Sequence, residues 1–171
     1  MVARKYMTPL AAFMLAAAFA FATEAPAQAK EGTWSDTIAG FETFKATQVG
    51  KDRLLLVFDD HFLSVSDNPM FDHLTWHLWG LADCIKGVCE GHGYGVATDP
   101  AGDQFVQSFV LEKFALGQKT VKGLLKLSGG TGKFVGITGT GIYVGDGATF
   151  RATEEGTFFE HGTRQYNYQL P

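Results

Sequence analysis

Five histidines, two cysteines and two adjacent carboxylate pairs are the residues of this chain best suited to chemistry. His73 and His77 stand four apart in "HLTWHLWGLADC", and His92 follows in "VCEGHGYGVAT". Strand residues two or four apart share a face, so His73 and His77 are expected on one face of their strand. Cys84 and Cys89 flank "IKGV", and pairing them across a hairpin sets a register. One face then sets Ala82 against Gly91, Gly80 against Gly93, Leu78 against Gly95 and Trp76 against Ala97. The other sets Asp83 against Glu90, Leu81 against His92, Trp79 against Tyr94 and His77 against Val96. On that second face His77, Trp79, His92 and Tyr94 make a small aromatic pocket with two imidazoles, and these four are the expected ligand-binding residues. Imidazole binds zinc or copper and serves as a general base near neutral pH. The plainer reading has the rings facing solvent or bonding a neighbour, so no metal ligands and no cofactor are assigned. His61 and His161 are isolated in sequence and suggest no role.

The cysteine spacing is C-x4-C, not the C-x2-C of redox and zinc motifs, and there is no second pair. A Cys84–Cys89 disulfide is expected, with ~2 kcal/mol of stabilisation from so short a loop. In Asp59-Asp60 and Glu154-Glu155 the two carboxylates point to opposite faces of a strand, so neither is a paired acid–base site and solvated edges or turns are expected. Asp99 and Asp103 bracket "PAG" and read as turn formers, with too few oxygens for calcium. No G-x-S-x-G elbow is present, and no catalytic residue is assigned.

"LSGGTGKFVGITGTGIY", Leu127 to Tyr143, fails as a phosphate loop. With Gly132-Lys133 as its core, residue 127 should be glycine and is Leu127, and Phe134 stands where Ser or Thr is needed. The dinucleotide fingerprint fails at Val135 and Val144. The stretch reads instead as a turn at Gly129, Gly130 and Gly132, followed by a strand with room for a bend or a close neighbour.

These residues must be positioned by strands, because the periodicity is two throughout. "ETFKATQV", "RLLLVF", "HLTWHLWGLADC", "VCEGHGYGVAT", "DQFVQSFVLEKF", "VKGLLKLS", "FVGITGTGIYV" and "ATFRATEEGTFFE" are eight strand-like runs, and "QYNYQ" is a ninth candidate. Turn signals separate them: "VGKD", "SDNP", "IKGV", "DPAGD", "SGGTG", "VGDG" and "HGTR". Short strands with tight turns predict an all-β, antiparallel sandwich or barrel. A closed eight-stranded barrel hides its edges best. Arg4, Lys5, the apolar run Leu10 to Ala22 and Ala27-Gln28-Ala29 form the pattern of a cleaved signal peptide over residues 1–29. The apolar run is short of the ~20 residues that span a bilayer. A single domain over 30–171 is expected in the periplasm or medium, with no membrane insertion after cleavage. The net charge of −4 and the lack of a basic cluster speak against nucleic acid.

"GGTGKFVGITGTG" resembles the glycine-rich turn and strand of the allene oxide cyclase and dirigent protein superfamily. "HGYGVATDPAGDQF" looks like the strand, acidic turn and strand that precede it in bacterial members, and "EEGTFFE" like a closing strand. The resemblance implies a small, often secreted, eight-stranded antiparallel barrel, calycin-like in form. Its members include an isomerase that folds an unsaturated epoxide and proteins that steer phenolic intermediates, but their working residues do not align here and none is carried over. Gly32-Thr33-Trp34 also has the G-x-W form seen at the start of lipocalins. The leading expectation is a non-enzymatic barrel for a small apolar or phenolic ligand. The alternatives are an isomerase or cyclase acting by confinement, and a structural barrel that self-associates as a dimer or trimer. The Cys84–Cys89 hairpin leaves open which of its faces lines the lumen.

Overall fold

The computed structural model describes residues 30–146 and 156–171. The predicted leader, the start of the predicted 148–160 strand, and Glu154-Glu155 lie outside them. Eight antiparallel strands run as a simple meander: β1 (Lys30–Gly50), β2 (Arg53–Ser66), β3 (Thr75–Ile85), β4 (Val88–Thr98), β5 (Gln104–Ala115), β6 (Thr120–Gly130), β7 (Thr138–Asp146) and β8 (Gly156–Leu170). Strand β8 pairs with β1 and closes the barrel. Closure satisfies both edges of the sheet, as the sequence predicts.

The hairpin register follows the cysteines. Cys84 faces Cys89 and is bonded to it, and all eight predicted pairs are present. The turn itself is Lys86-Gly87, both at positive φ, a two-residue loop whose twist matches the flanking strands. Large residues oppose small ones on the inward face because the lumen needs the space. A Cβ on Gly93 would sit 2.5 Å from Phe109, and one on Gly95 would sit 2.7 Å from Leu78. "GITGTG" has the same role. Gly139 and Gly141 face inward, and a Cβ on Gly141 would meet the Tyr166 ring at 2.5 Å. The "SGGTG" turn is confirmed, with Gly129 and Gly132 at positive φ before a short 3-10 turn, Gly132–Phe134.

Several boundaries differ from the sequence reading. Strand β1 begins twelve residues before "ETFKATQV", because inward Trp34, Asp36 and Ile38 extend the alternation through a polar position. "FVGI" is not strand; Phe134 and Ile137 are buried in the 3-10 turn and the segment after it. "HGTR" is not a turn, and "TFFE" and "QYNYQ" belong to the single strand β8. Gly162 sits inward, where a Cβ would be 2.8 Å from the Tyr143 ring. His73 is not on a strand; it has φ 55° in the connection before β3.

The barrel is filled unequally along its axis. The base, where β2–β3, β4–β5 and β6–β7 connect, is an aromatic plug. The Trp34 ring is stacked between Phe71 at 3.8 Å and Tyr166 at 4.0 Å. Phe105 packs edge-on against Trp34, Phe71, Trp76 and Phe134. Asp99 ties this end down. Its Oδ1 accepts from the Ala101 and Asp103 amides and its Oδ2 meets Lys133 Nζ at 2.7 Å, which bears out the turn-forming role.

Candidate functional site

Above the plug the lumen turns polar. Inward positions alternate along each strand, and on β1 and β2 that phase carries Asp36, Glu42 and Asp60 among Trp34, Ile38, Phe44, Phe58 and Phe62. On β8 it carries Glu160 and Arg164. Glu42 and Asp60 are direct cross-strand neighbours, and Glu160 reaches them from the other side of β1. These side chains line a cavity of about 50 Å³ with Tyr143 and Gln107. Its apolar wall is Phe58, Phe62, Leu78, Phe109, Leu111 and Leu125, with Ile38 below. At ~10–15 Å³ per water, the space takes roughly three or four water-sized groups.

The electrostatics follow from crowding four carboxyls around one guanidinium. Arg164 holds Asp36 with two parallel bonds, Nε to Oδ1 at 2.9 Å and Nη2 to Oδ2 at 2.7 Å. Its guanidinium also lies 3.9 Å over the Trp76 ring. That pair neutralises one acid and leaves three. Tyr143 donates its hydroxyl proton to Glu160, and Glu42 shares a further hydrogen bond with Glu160. Ionised carboxylates only accept, so two carboxyls that bond each other must hold a proton between them. Burial lifts Glu160 above the usual carboxylate range. Burial, and then the charges of Glu160 and Asp59, lift Asp60 to about 9. Asp60 is therefore a neutral acid at pH 7, able to donate. Burial and the neighbouring Glu160 also push Tyr143 well above its ordinary value. Asp60 Oδ1 and Arg164 Nη1 are buried without a hydrogen-bond partner in the protein.

None of the four expected ligand-binding residues lines this cavity. His77, Trp79, His92 and Tyr94 all stand on the outer wall, with Trp79 41% and Tyr94 54% exposed. The open question of the hairpin is thereby answered: its glycine-bearing face is the inner one. Asp59 and Asp60 do point to opposite faces, but Asp60 is not a solvated edge residue, since it is 5% exposed inside the lumen. His61 is not isolated; it stacks on His77 at 4.4 Å, and both approach Asp59. His92 belongs to a continuous outward row, Val57–Leu81–His92–Val110–Leu124–Ile142, that crosses six strands.

The signal for the lumen acids was phase. Asp60 falls two after Phe58 and two before Phe62, and Glu160 falls two after Phe158 and four before Arg164. A carboxylate in step with the apolar set is a buried carboxylate whenever that set faces a core. No protein-family model matches the chain, and comparison with characterised proteins finds no match.

Proposed function

We propose that the barrel binds, in its lumen, a small molecule with an apolar or aromatic body and a hydrogen-bonding oxygen at one end. The observation that carries this reading is that Asp60 Oδ1 and Arg164 Nη1, two of the buried side-chain atoms without a hydrogen-bond partner in the protein, belong to residues that line one cavity. Leaving such groups unsatisfied costs ~1–3 kcal/mol each, more for a charged one, so bound polar atoms that meet them are favoured. The Phe58, Phe109 and Leu125 wall suits the apolar body. The glycine-rich turn and strand resemble those of the allene oxide cyclase and dirigent superfamily, which is compatible with such a ligand. In this reading the leader exports the chain to a periplasm or the medium.

The test is native mass spectrometry of the exported, gently purified protein, followed by titration with small phenols. Extra mass that leaves on denaturation, and binding that weakens at least tenfold in Leu125→Phe and Asp60→Asn, is the expected result. Equal binding by both folded variants would place the ligand elsewhere.

A second reading has its own support. A carboxylic acid held neutral at pH 7 against an apolar wall is poised as a general acid. If the bound oxygen belongs to an epoxide, ketone or quinone methide, Asp60 would protonate it while the wall confines the chain that cyclises. Turnover of such a substrate, lost in Asp60→Asn with binding retained, separates a cyclase or isomerase from a binding protein.

A further inference from the structure

The outer wall brings together three side chains that the lumen does not use. Asp59 and His61 stand two apart on β2 and both point outward, and His77 on β3 is the direct cross-strand neighbour of His61. Both imidazoles turn their Nε2 atoms to the same carboxylate oxygen. Asp59 Oδ1 lies 3.0 Å from His77 Nε2 and 3.2 Å from His61 Nε2. The rings stack with 12° between their planes. The three donor atoms lie within 4.8 Å of one another.

We propose that Asp59, His61 and His77 form a surface site for a borderline divalent transition ion of the zinc and copper class. An ion bound tetrahedrally at ~2.0–2.1 Å holds its donor atoms ~3.3 Å apart. The two N···O separations already match that edge to within a few tenths of an ångström. The donor set of two imidazoles and one carboxylate is the one that zinc and copper take readily, whereas calcium and magnesium require oxygens. The ladder between β2 and β3 fixes the three Cα positions, so little backbone order has to be gained on binding. The side chains are about half exposed or more, so the rings can turn toward a shared ion without displacing a packed core. Three protein ligands leave one position open toward solvent, for a water or an incoming group.

Titration of the untagged protein with zinc chloride by calorimetry, and with copper(II) chloride by tryptophan fluorescence, tests the site. Trp79 is the reporter: its ring is 5.1 Å from His77, and it is the exposed tryptophan, Trp34 and Trp76 being buried. One ion per chain is expected, with copper quenching the exposed fraction of the emission. His61→Ala and His77→Ala should each weaken binding at least tenfold. His73→Ala should leave it unchanged, because His73 pairs with Asp72, at 2.8 Å, and is not one of the three clustered ligands. All three substitutions are at exposed positions, and circular dichroism checks that the barrel is retained. Binding of neither ion, or binding that persists undiminished in the His61→Ala/His77→Ala double variant, would overturn the proposal.

Discussion

Replacing Asp60 by asparagine should make the barrel less sensitive to alkaline pH, and the size of the effect can be worked from the lumen. In the folded protein Asp60 titrates at about 9, against 3.8 for a free aspartate. The folded state therefore keeps a proton that the unfolded state has lost at every pH between these values. The stability that Asp60 contributes is fullest below about pH 4 and falls by ~1.4 kcal/mol per pH unit until about pH 9. Between pH 5 and pH 8 the wild type loses ~4 kcal/mol through this group alone. Asparagine keeps the shape and cannot ionise. Its own burial cost is a constant offset, and titrating groups away from the coupled Glu42–Glu160 pair cancel in the comparison. The gap between Asp60→Asn and wild type should thus move in favour of the variant by ~4 kcal/mol from pH 5 to pH 8. Urea unfolding at pH 5, 6.5 and 8, with the disulfide intact, measures it. Parallel profiles would show that Asp60 is ionised in the folded lumen, and the proton accounting among Asp60, Glu42 and Glu160 would be refuted.

Arg164→Leu should cost ~3–5 kcal/mol in the same assay, since it strands the fully buried Asp36 carboxylate; a loss under ~1 kcal/mol would refute the cost assigned to breaking that pair. Reduction of Cys84–Cys89 should lower stability by ~2 kcal/mol, read as a lower urea midpoint in reductant. Gly141→Ala should destabilise by ~1–3 kcal/mol, because its Cβ would lie 2.5 Å from the Tyr166 ring and 2.6 Å from the Gln165 carbonyl. Leu124→Lys, in the exposed outward row, should change stability by less than ~0.5 kcal/mol while reducing any self-association seen by sedimentation; an unchanged sedimentation profile would remove that row as a contact.

The barrel and one hairpin register were legible because the local chemistry determines them. Lys86-Gly87 permits a tight turn, and the two cysteines pin every pair from Ile85↔Val88 to Trp76↔Ala97. The direction of the faces was harder to read, since both carry large apolar residues: Trp76 and Leu78 point in, while Trp79 and Leu81 point out. The glycines at 91, 93 and 95 held the answer, because the concave side of a small barrel is where side chains run out of room. The meeting of His61 with His77 was not legible. Strands β2 and β3 are joined by the connection 67–74, and no short turn sets their register. What aligns them includes the packing of Phe71 and Leu74 into the base and hydrogen bonds such as those from the Ser64 and Ser66 amides into that connection.

The contrast between the two halves of the lumen argues that the upper half is a site. In the base, Trp76 donates to Ser64 and aromatic rings take up the space, although Trp34 Nε1 is also buried there without a protein partner. Nothing in the geometry of β1, β2 or β8 demands acids higher up. Leu54, Leu56 and Phe58 show that the inward positions of β2 accept apolar side chains, and a leucine in place of Asp60 would continue the pattern. Replacing buried ionisable groups by apolar ones of similar size is commonly neutral or stabilising by ~1–4 kcal/mol. A barrel selected only to stand would have followed that route. This one keeps a neutral Asp60, a proton-sharing Glu42–Glu160 pair and an unpaired arm of Arg164 around a single cavity. Stability given up in one small region, while the plug beneath it is packed tightly, is the pattern of a site that meets another molecule.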